Sequence, residues 1–120
     1  MLFSELNLPV PVLEALKEMG YEETTPIQEE TLPHILSGKD VLGLAETGSG
    51  KTSACAIPLV SKIDTQDRSI QVLILVPTRE LALQYVQEVD DVSKHSDVVP
   101  FAVFGGFDMD IQKAKQFKAT

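Results

Sequence analysis

Apolar residues recur at helical spacing near the start of the chain. Val12, Leu13 and Leu16 share one side of a segment from Leu8 to Met19, Pro9 and Pro11 place its start, and Gly20 supplies a stop. A second helix is expected from Thr25-Pro26, with Thr25 as N-cap and Pro26 at the first position. Ile27, Thr31 and Ile35, with Leu32 and Leu36, follow at three- and four-residue steps, and Gly38 ends the run. Pro33 falls inside it and is expected to kink the helix or shift its start.

The pattern then changes. Val41-Leu42-Gly43-Leu44-Ala45 is a short apolar run of buried-strand type. A polar, glycine-rich turn follows from Glu46 to Gly50, then a helix from Lys51 to Ile63 with Pro58 as an interior flaw. Asp64 to Ser69 reads as a polar loop. Ile70 to Val76 is continuously apolar apart from Gln71, the pattern of a strand covered on both faces. Thr78 can cap a long helix through Val92, with Leu81, Tyr85, Val89 and Val92 on one face. Val98 to Phe104 predicts a third strand, Gly105-Gly106 breaks it, and a last helix is expected over Met109 to Lys118. Two helices followed by three strand–helix units imply an α/β layer with a parallel sheet and right-handed crossovers. Three strands fall short of the ~5–6 of an average sheet. The chain therefore reads as the N-terminal part of a longer domain.

Composition narrows the class. The chain has 120 residues, 43% of them hydrophobic, which suits one globular domain and not a disordered segment. Cys55 is the lone cysteine, so no intramolecular disulfide can form and a reducing compartment is expected. No apolar run approaches the ~20 residues that cross a bilayer, and Met1 to Val10 lacks the pattern of a signal peptide. A soluble cytoplasmic chain with no membrane partner is the expectation. His34 and His95 stand apart without metal-ligand spacing, and Cys55 reads as a core residue.

Charge complicates the choice of partner. Ten basic against 18 acidic residues give a net charge of −8, which repels nucleic acid. The charge is uneven, however. Glu14, Glu18, Glu22, Glu23, Glu29 and Glu30 crowd the first quarter, while Lys113, Lys115 and Lys118 lie in the tail. A local basic face can exist on an acidic chain.

The sharpest chemical signal is Ala45-Glu46-Thr47-Gly48-Ser49-Gly50-Lys51-Thr52, between an expected strand and an expected helix. Backbone N–H groups and a helix N-terminus converge on an anion at such a junction. Gly48 and Gly50 let the backbone turn and approach phosphates. Lys51 would bring positive charge to the β- and γ-phosphates, and the Thr52 hydroxyl would ligate Mg²⁺. The bland alternative is a glycine-rich turn with a surface lysine.

The flanking residues resemble one family. Gly20-Tyr21-Glu22-Glu23-Thr24-Thr25-Pro26-Ile27-Gln28 resembles the Q motif of DEAD-box RNA helicases, and Phe3 stands seventeen residues before Gly20, where that family usually has an isolated Phe. AETGSGKT resembles the family's motif I, including Ala45, and Pro77-Thr78-Arg79-Glu80-Leu81-Ala82 its motif Ia. Gly105-Gly106 followed by Gln112 resembles its GG…Q element. Thr24, where Pro is commoner, is a mild departure. No Asp-Glu-Ala-Asp occurs in the 120 residues, and the family's SAT motif and second RecA-like domain are not among them either.

The resemblance implies a phosphate-loop, RecA-like three-layer α/β domain with a parallel sheet, incomplete at about three strands against the usual ~5–6. It divides the chain into a Q-motif helical segment, 1–37, and the N-terminal portion of a helicase ATP-binding domain, 38–120. The implied cofactors are ATP and Mg²⁺, and the implied partners are RNA, held through its sugar-phosphate backbone, and the second RecA-like domain of a parent chain. Gln28 would read adenine, since an amide pairs with N6 and N7 together; without the resemblance it reads as a solvated residue in the first turn of a helix. Tyr21 would stack on the base with Phe3 in support, and Thr25 would link the Q motif to the phosphate loop. Thr47, Gly48, Ser49, Gly50, Lys51 and Thr52 would hold phosphates and metal. Lys51 and Thr52 would act catalytically by positioning and stabilising charge. Pro77, Thr78, Arg79, Gly105 and Gly106 would contact RNA backbone, contacts that are local and carry no sequence information. For Arg79 the plainer alternative is an ion pair with Glu80 or another acidic neighbour. The 120 residues alone are expected to lack hydrolysis and unwinding, and to be poorly soluble or partly molten. Two other readings compete. One is a catalytically inactive adenine-nucleotide module. The other is an unrelated phosphate-loop ATPase, which leaves Phe3, Tyr21, Gln28 and the motif Ia run unexplained.

Overall fold

In the computed structural model, residues 1–105 are described. They form a 3₁₀ turn at Phe3–Glu5 and four helices: α1 Val10–Glu18, α2 Pro26–Leu36, α3 Lys51–Lys62 and α4 Arg79–Val92. The expected helix over Met109 to Lys118 lies outside the described residues, as do Gly106 and Gln112.

Local chemistry sets the helix ends. Gly20 follows α1 with φ +79°, where its N–H bonds the Lys17 carbonyl and the Tyr21 N–H bonds that of Leu16. This paired closure needs a left-handed residue, which glycine adopts without a Cβ penalty. Pro26 opens α2 with Thr25 as N-cap, and the Gln28 side chain reaches back to accept the Thr25 N–H at 3.0 Å. Pro33 neither moves the start of α2 nor ends it, contrary to expectation. Its ring is exposed, so the helix can carry a carbonyl at Glu29 that lacks its helical donor.

One apolar cluster joins these pieces. Phe3, Leu6 and Leu8 pack with Val12 and Leu16 of α1, Leu32 of α2, Ile57 and Val60 of α3, and Val89 and Val92 of α4. Helix α3 is central, with α2 and α4 against it and α1 against α4. The N-terminus is tied to the loop before α2. Leu2 and Glu23 form an antiparallel bridge, the Phe3 N–H donates to the Glu22 carbonyl at 3.0 Å, and the Thr24 N–H donates to the Met1 carbonyl at 2.8 Å.

The expected strands are the main correction. Among the described residues, 41–45, 70–76 and 98–104 form no hydrogen-bonded strand. A strand exists only through a ladder with a neighbour, and no described segment supplies one. Cover is also one-sided. Leu42 and Leu44 are 89% and 88% exposed, and Leu73 and Leu75 are 80% and 86% exposed. Val72, Ile74 and Val76 are half-buried, so Leu73 to Val76 is not the core strand that its composition predicts. Segments 70–76 and 98–103 flank an apolar groove of about 400 Å³, lined also by Leu59, Ile63, Tyr85 and Val86. Cys55 is exposed as well, on the side of α3 away from Ala56, Ile57 and Val60, rather than in the core. Among the described residues, no helix is long and apolar enough to cross a membrane.

Candidate nucleotide site and nucleic-acid interface

The loop 46–50 turns sharply into α3. The Ser49 N–H bonds the Glu46 carbonyl at 3.2 Å, and Gly48 and Gly50 have φ of +82° and +93°. Gly50 is the N-cap of α3, and its carbonyl accepts the Ala54 N–H at 3.0 Å. Among the described residues, the N–H groups of Lys51, Thr52 and Ser53 have no backbone acceptor, the usual state of a helix's first turn. The Lys51 ammonium folds across the loop and donates to the Ala45 carbonyl at 2.5 Å.

The Q-motif segment meets this loop directly. Gln28 is only 3% exposed. Its Oε1 accepts the Thr25 N–H at 3.0 Å and its Nε2 donates to the Gly50 carbonyl at 3.2 Å. The Gly50 carbonyl thus takes two donors, one from its own helix and one from Gln28. A Cβ built on Gly50 would lie 2.6 Å from Gln28 Nε2 and 2.7 Å from Thr25 Oγ1. Only glycine fits there, for space and for φ. Among the described residues, the Thr25 and Ser49 hydroxyls are buried at the same junction without hydrogen-bond partners. Buried polar atoms of this kind need explaining, and an anion held in the loop would explain them. The direct bond to the loop is made by Gln28, whereas the resemblance assigned that link to Thr25.

Phe3 is buried, and Tyr21 stacks on it with ring centroids 6.4 Å apart and planes 20° apart. Tyr21 itself is exposed. Thr47 and Gly48 are exposed in the loop, and Thr52 is half-buried at the start of α3. Tyr85 of α4 lies against Thr52 and Cys55. Burial first, then the Cys55 thiol, push its phenol pKa up, while the Thr52 hydroxyl acts the other way. The Ser53 hydroxyl donates to the Glu88 carboxylate, fastening α3 to α4 beside the loop.

A second constellation forms where α4 begins. Thr78 is the N-cap, and its hydroxyl accepts the Leu81 N–H at 3.2 Å. Arg79 reaches across to Gly105, donating from Nη2 to the carbonyl at 2.7 Å, and its guanidinium lies 4.8 Å from the centre of the Phe104 ring. Motif Ia and the first glycine of the GG pair are therefore brought together. Pro77 and Gly105 are exposed there, and Gly106 lies beyond the described residues. Among the described residues, Arg79 forms no ion pair with Glu80. Phe104 and Tyr85 were not legible as site residues. Phe104 carried no signal beyond its place before the glycines, and Tyr85 matched a core-facing helix position.

The chain belongs to the DEAD/DEAH box helicase family, whose match spans residues 25–119. The ATP-dependent RNA helicase DeaD of Escherichia coli strain K12 is 49% identical over 111 residues, covering 92% of this chain and 18% of that protein. The DEAD-box ATP-dependent RNA helicase CshA of Bacillus cereus is 46% identical over 110 residues, covering 92% of this chain and 21% of that protein. The chain thus spans about a fifth of the length of these curated relatives. A DEAD box protein from Methanococcus jannaschii superimposes with a TM-score of 0.95 at 34% identity, over 99% of this chain and 33% of that one. The RNA helicase Prp28 from Chaetomium thermophilum, solved bound to ADP, gives 0.81 at 33% identity, over 93% of this chain and 28% of that one. These structural neighbours are RecA-like domains of DEAD-box helicases.

Proposed function

We propose that this chain is the adenine-nucleotide-binding and RNA-binding portion of a DEAD-box, ATP-dependent RNA helicase acting in the cytoplasm. The observation that carries the reading is the bond from Gln28 Nε2 to the Gly50 carbonyl. It couples a candidate adenine reader to a phosphate loop, which a generic phosphate loop does not require.

The loop fits a polyphosphate. Among the described residues, it combines a backbone position with no room for a Cβ, a buried Ser49 hydroxyl without a partner, N–H groups without a backbone acceptor and the Lys51 ammonium. In the proposed role, Thr47, Gly48, Ser49 and Gly50 hold phosphates through their backbone, and Lys51 neutralises their charge. The Thr52 hydroxyl holds Mg²⁺, which supplies further neutralisation of phosphate charge when bound. Lys51 and Thr52 contribute by positioning and electrostatics. Tyr21, braced by Phe3, stacks on the base. Gln28 pairs with adenine N6 and N7, and to do so its amide shares or leaves the Thr25 and Gly50 contacts. Pro77, Thr78, Arg79, Gly105 and Gly106 hold RNA through its backbone, with weak and salt-sensitive affinity. Duplex unwinding belongs to the parent chain, which adds the second RecA-like domain and the Asp-Glu-Ala-Asp carboxylates.

The test is displacement of a fluorescent ADP analogue in the presence of Mg²⁺. ADP and ATP should displace it and GDP should not. Lys51→Ala should weaken binding about ten- to a hundredfold, the worth of a charge-assisted hydrogen bond. Gln28→Ala should erase the preference for adenine. Equal displacement by GDP from the unmodified chain contradicts the proposal.

A further inference from the structure

We propose that Phe104 is a positioning residue: its ring and the Gly105 carbonyl together hold the Arg79 guanidinium ready to receive a phosphate of the RNA backbone. The inference rests on the RNA-binding role proposed above and names the residue that makes Arg79 effective in it.

Arginine has several rotatable bonds, and fixing them against a ligand costs entropy. A guanidinium already held in place loses less on binding. Arg79 is held twice, by two neighbouring residues that lie far along the chain from it. Its Nη2 donates to the Gly105 carbonyl at 2.7 Å, which fixes one edge. Its carbon lies 4.8 Å from the centre of the Phe104 ring, within the ~6 Å range of a cation–π contact, which fixes the plane. No carboxylate among the described residues pairs with it. The guanidinium has five N–H donors in a planar fork, and one bond to a carbonyl leaves others for a two-pronged phosphate contact. The Thr78 cap sits beside it and sets the direction in which α4 begins. The Phe104 ring has no N–H or O–H to donate to a phosphate, so its role is exercised through Arg79.

The experiment combines affinity with a direct reading of the pair. A fluorescein-labelled oligouridylate is titrated at low salt into the chain and into Phe104→Leu, Phe104→Tyr, Arg79→Ala and the Arg79→Ala/Phe104→Leu double variant. The side-chain CH₂ protons of Arg79 are followed by NMR without RNA. Phe104→Leu should weaken RNA binding about two- to fivefold, the worth of an exposed cation–π contact. Phe104→Tyr should retain the affinity, and Phe104→Leu should have no further effect once Arg79 is alanine. The Arg79 protons should show an upfield ring-current shift that Phe104→Leu removes. A missing ring-current shift overturns the inference whatever happens with RNA. So does an equal loss from Phe104→Leu in the Arg79→Ala background, because the ring would then act by itself. If the ring-current shift is present but the unmodified chain binds no RNA, the RNA-binding reading fails and takes this role with it.

Discussion

Gly50 concentrates the local argument. Gly50→Ala would drive a methyl group against Gln28 Nε2 and Thr25 Oγ1, at 2.6 and 2.7 Å, from a backbone with φ +93°. It is expected to cost about 1–3 kcal/mol in urea unfolding, the range for a strained backbone position, and to lower the preference for adenine because Gln28 must move. Two carboxylates respond oppositely to pH. Hydrogen bonds from Lys94 and His95 hold the Glu18 carboxyl below the usual carboxylate range. Its contribution is therefore complete above the ordinary range and is lost as pH falls through the depressed folded value. Asp90 is pushed up by burial and then by the Asp91 charge. Its ionised form opposes folding above the raised value, and that penalty disappears below the ordinary range. Thermal melts should show Glu18→Gln destabilising and Asp90→Asn stabilising at neutral pH, with both effects fading in strong acid. Lys51 was legible because its loop is a local pattern of type and spacing, and Gln28 only through the resemblance of the motif around it. The burial of Gln28 was not, since it depends on α2 meeting a loop far along the chain. Phe104 was hidden for the same reason: nothing local says which aromatic ring an arginine will cover.

At the scale of elements, helices were legible and strands were not. Thr25 with Pro26, Gly20, Gly38 and Thr78 announce ends through bonds within a few residues, and the structure puts helix ends there. The runs 41–45, 70–76 and 98–104 have strand composition, yet a ladder needs a partner that composition does not reveal. The two interior prolines separate backbone cost from packing. Pro33 is exposed while Pro58 is fully buried. Pro33→Ala restores a helical N–H and removes a ring clash, offset by a looser unfolded chain. A net gain of roughly 1 kcal/mol or more is expected from denaturant titration. Pro58→Ala should gain less, because it also removes buried ring volume from the face of α3 that joins the core.

The whole molecule carries two opposed features. Leu42, Leu44, Leu73 and Leu75 stand bare, while the net charge is −8. Exposed apolar surface drives association, and like charge resists it. Added salt screens the charge, with a Debye length near ~10 Å at 0.1 M and ~3 Å at 1 M, but leaves the apolar faces unchanged. Sedimentation should therefore show association that rises with protein and salt concentration. The double substitution Leu73→Ser/Leu75→Ser should reduce both this association and the binding of a hydrophobic dye. A sharp monomeric species at high salt would contradict this picture.

The central claim is that the Q-motif segment and the phosphate loop form one adenine-nucleotide site, and amide NMR during titration with ADP and Mg²⁺ tests it most directly. The account predicts that the backbone amides of Thr47 to Thr52 and the side-chain amide of Gln28 shift together along one saturation curve, with the Tyr21 ring protons following. Shifts confined to the loop, with Gln28 and Tyr21 unmoved at saturation, would contradict it.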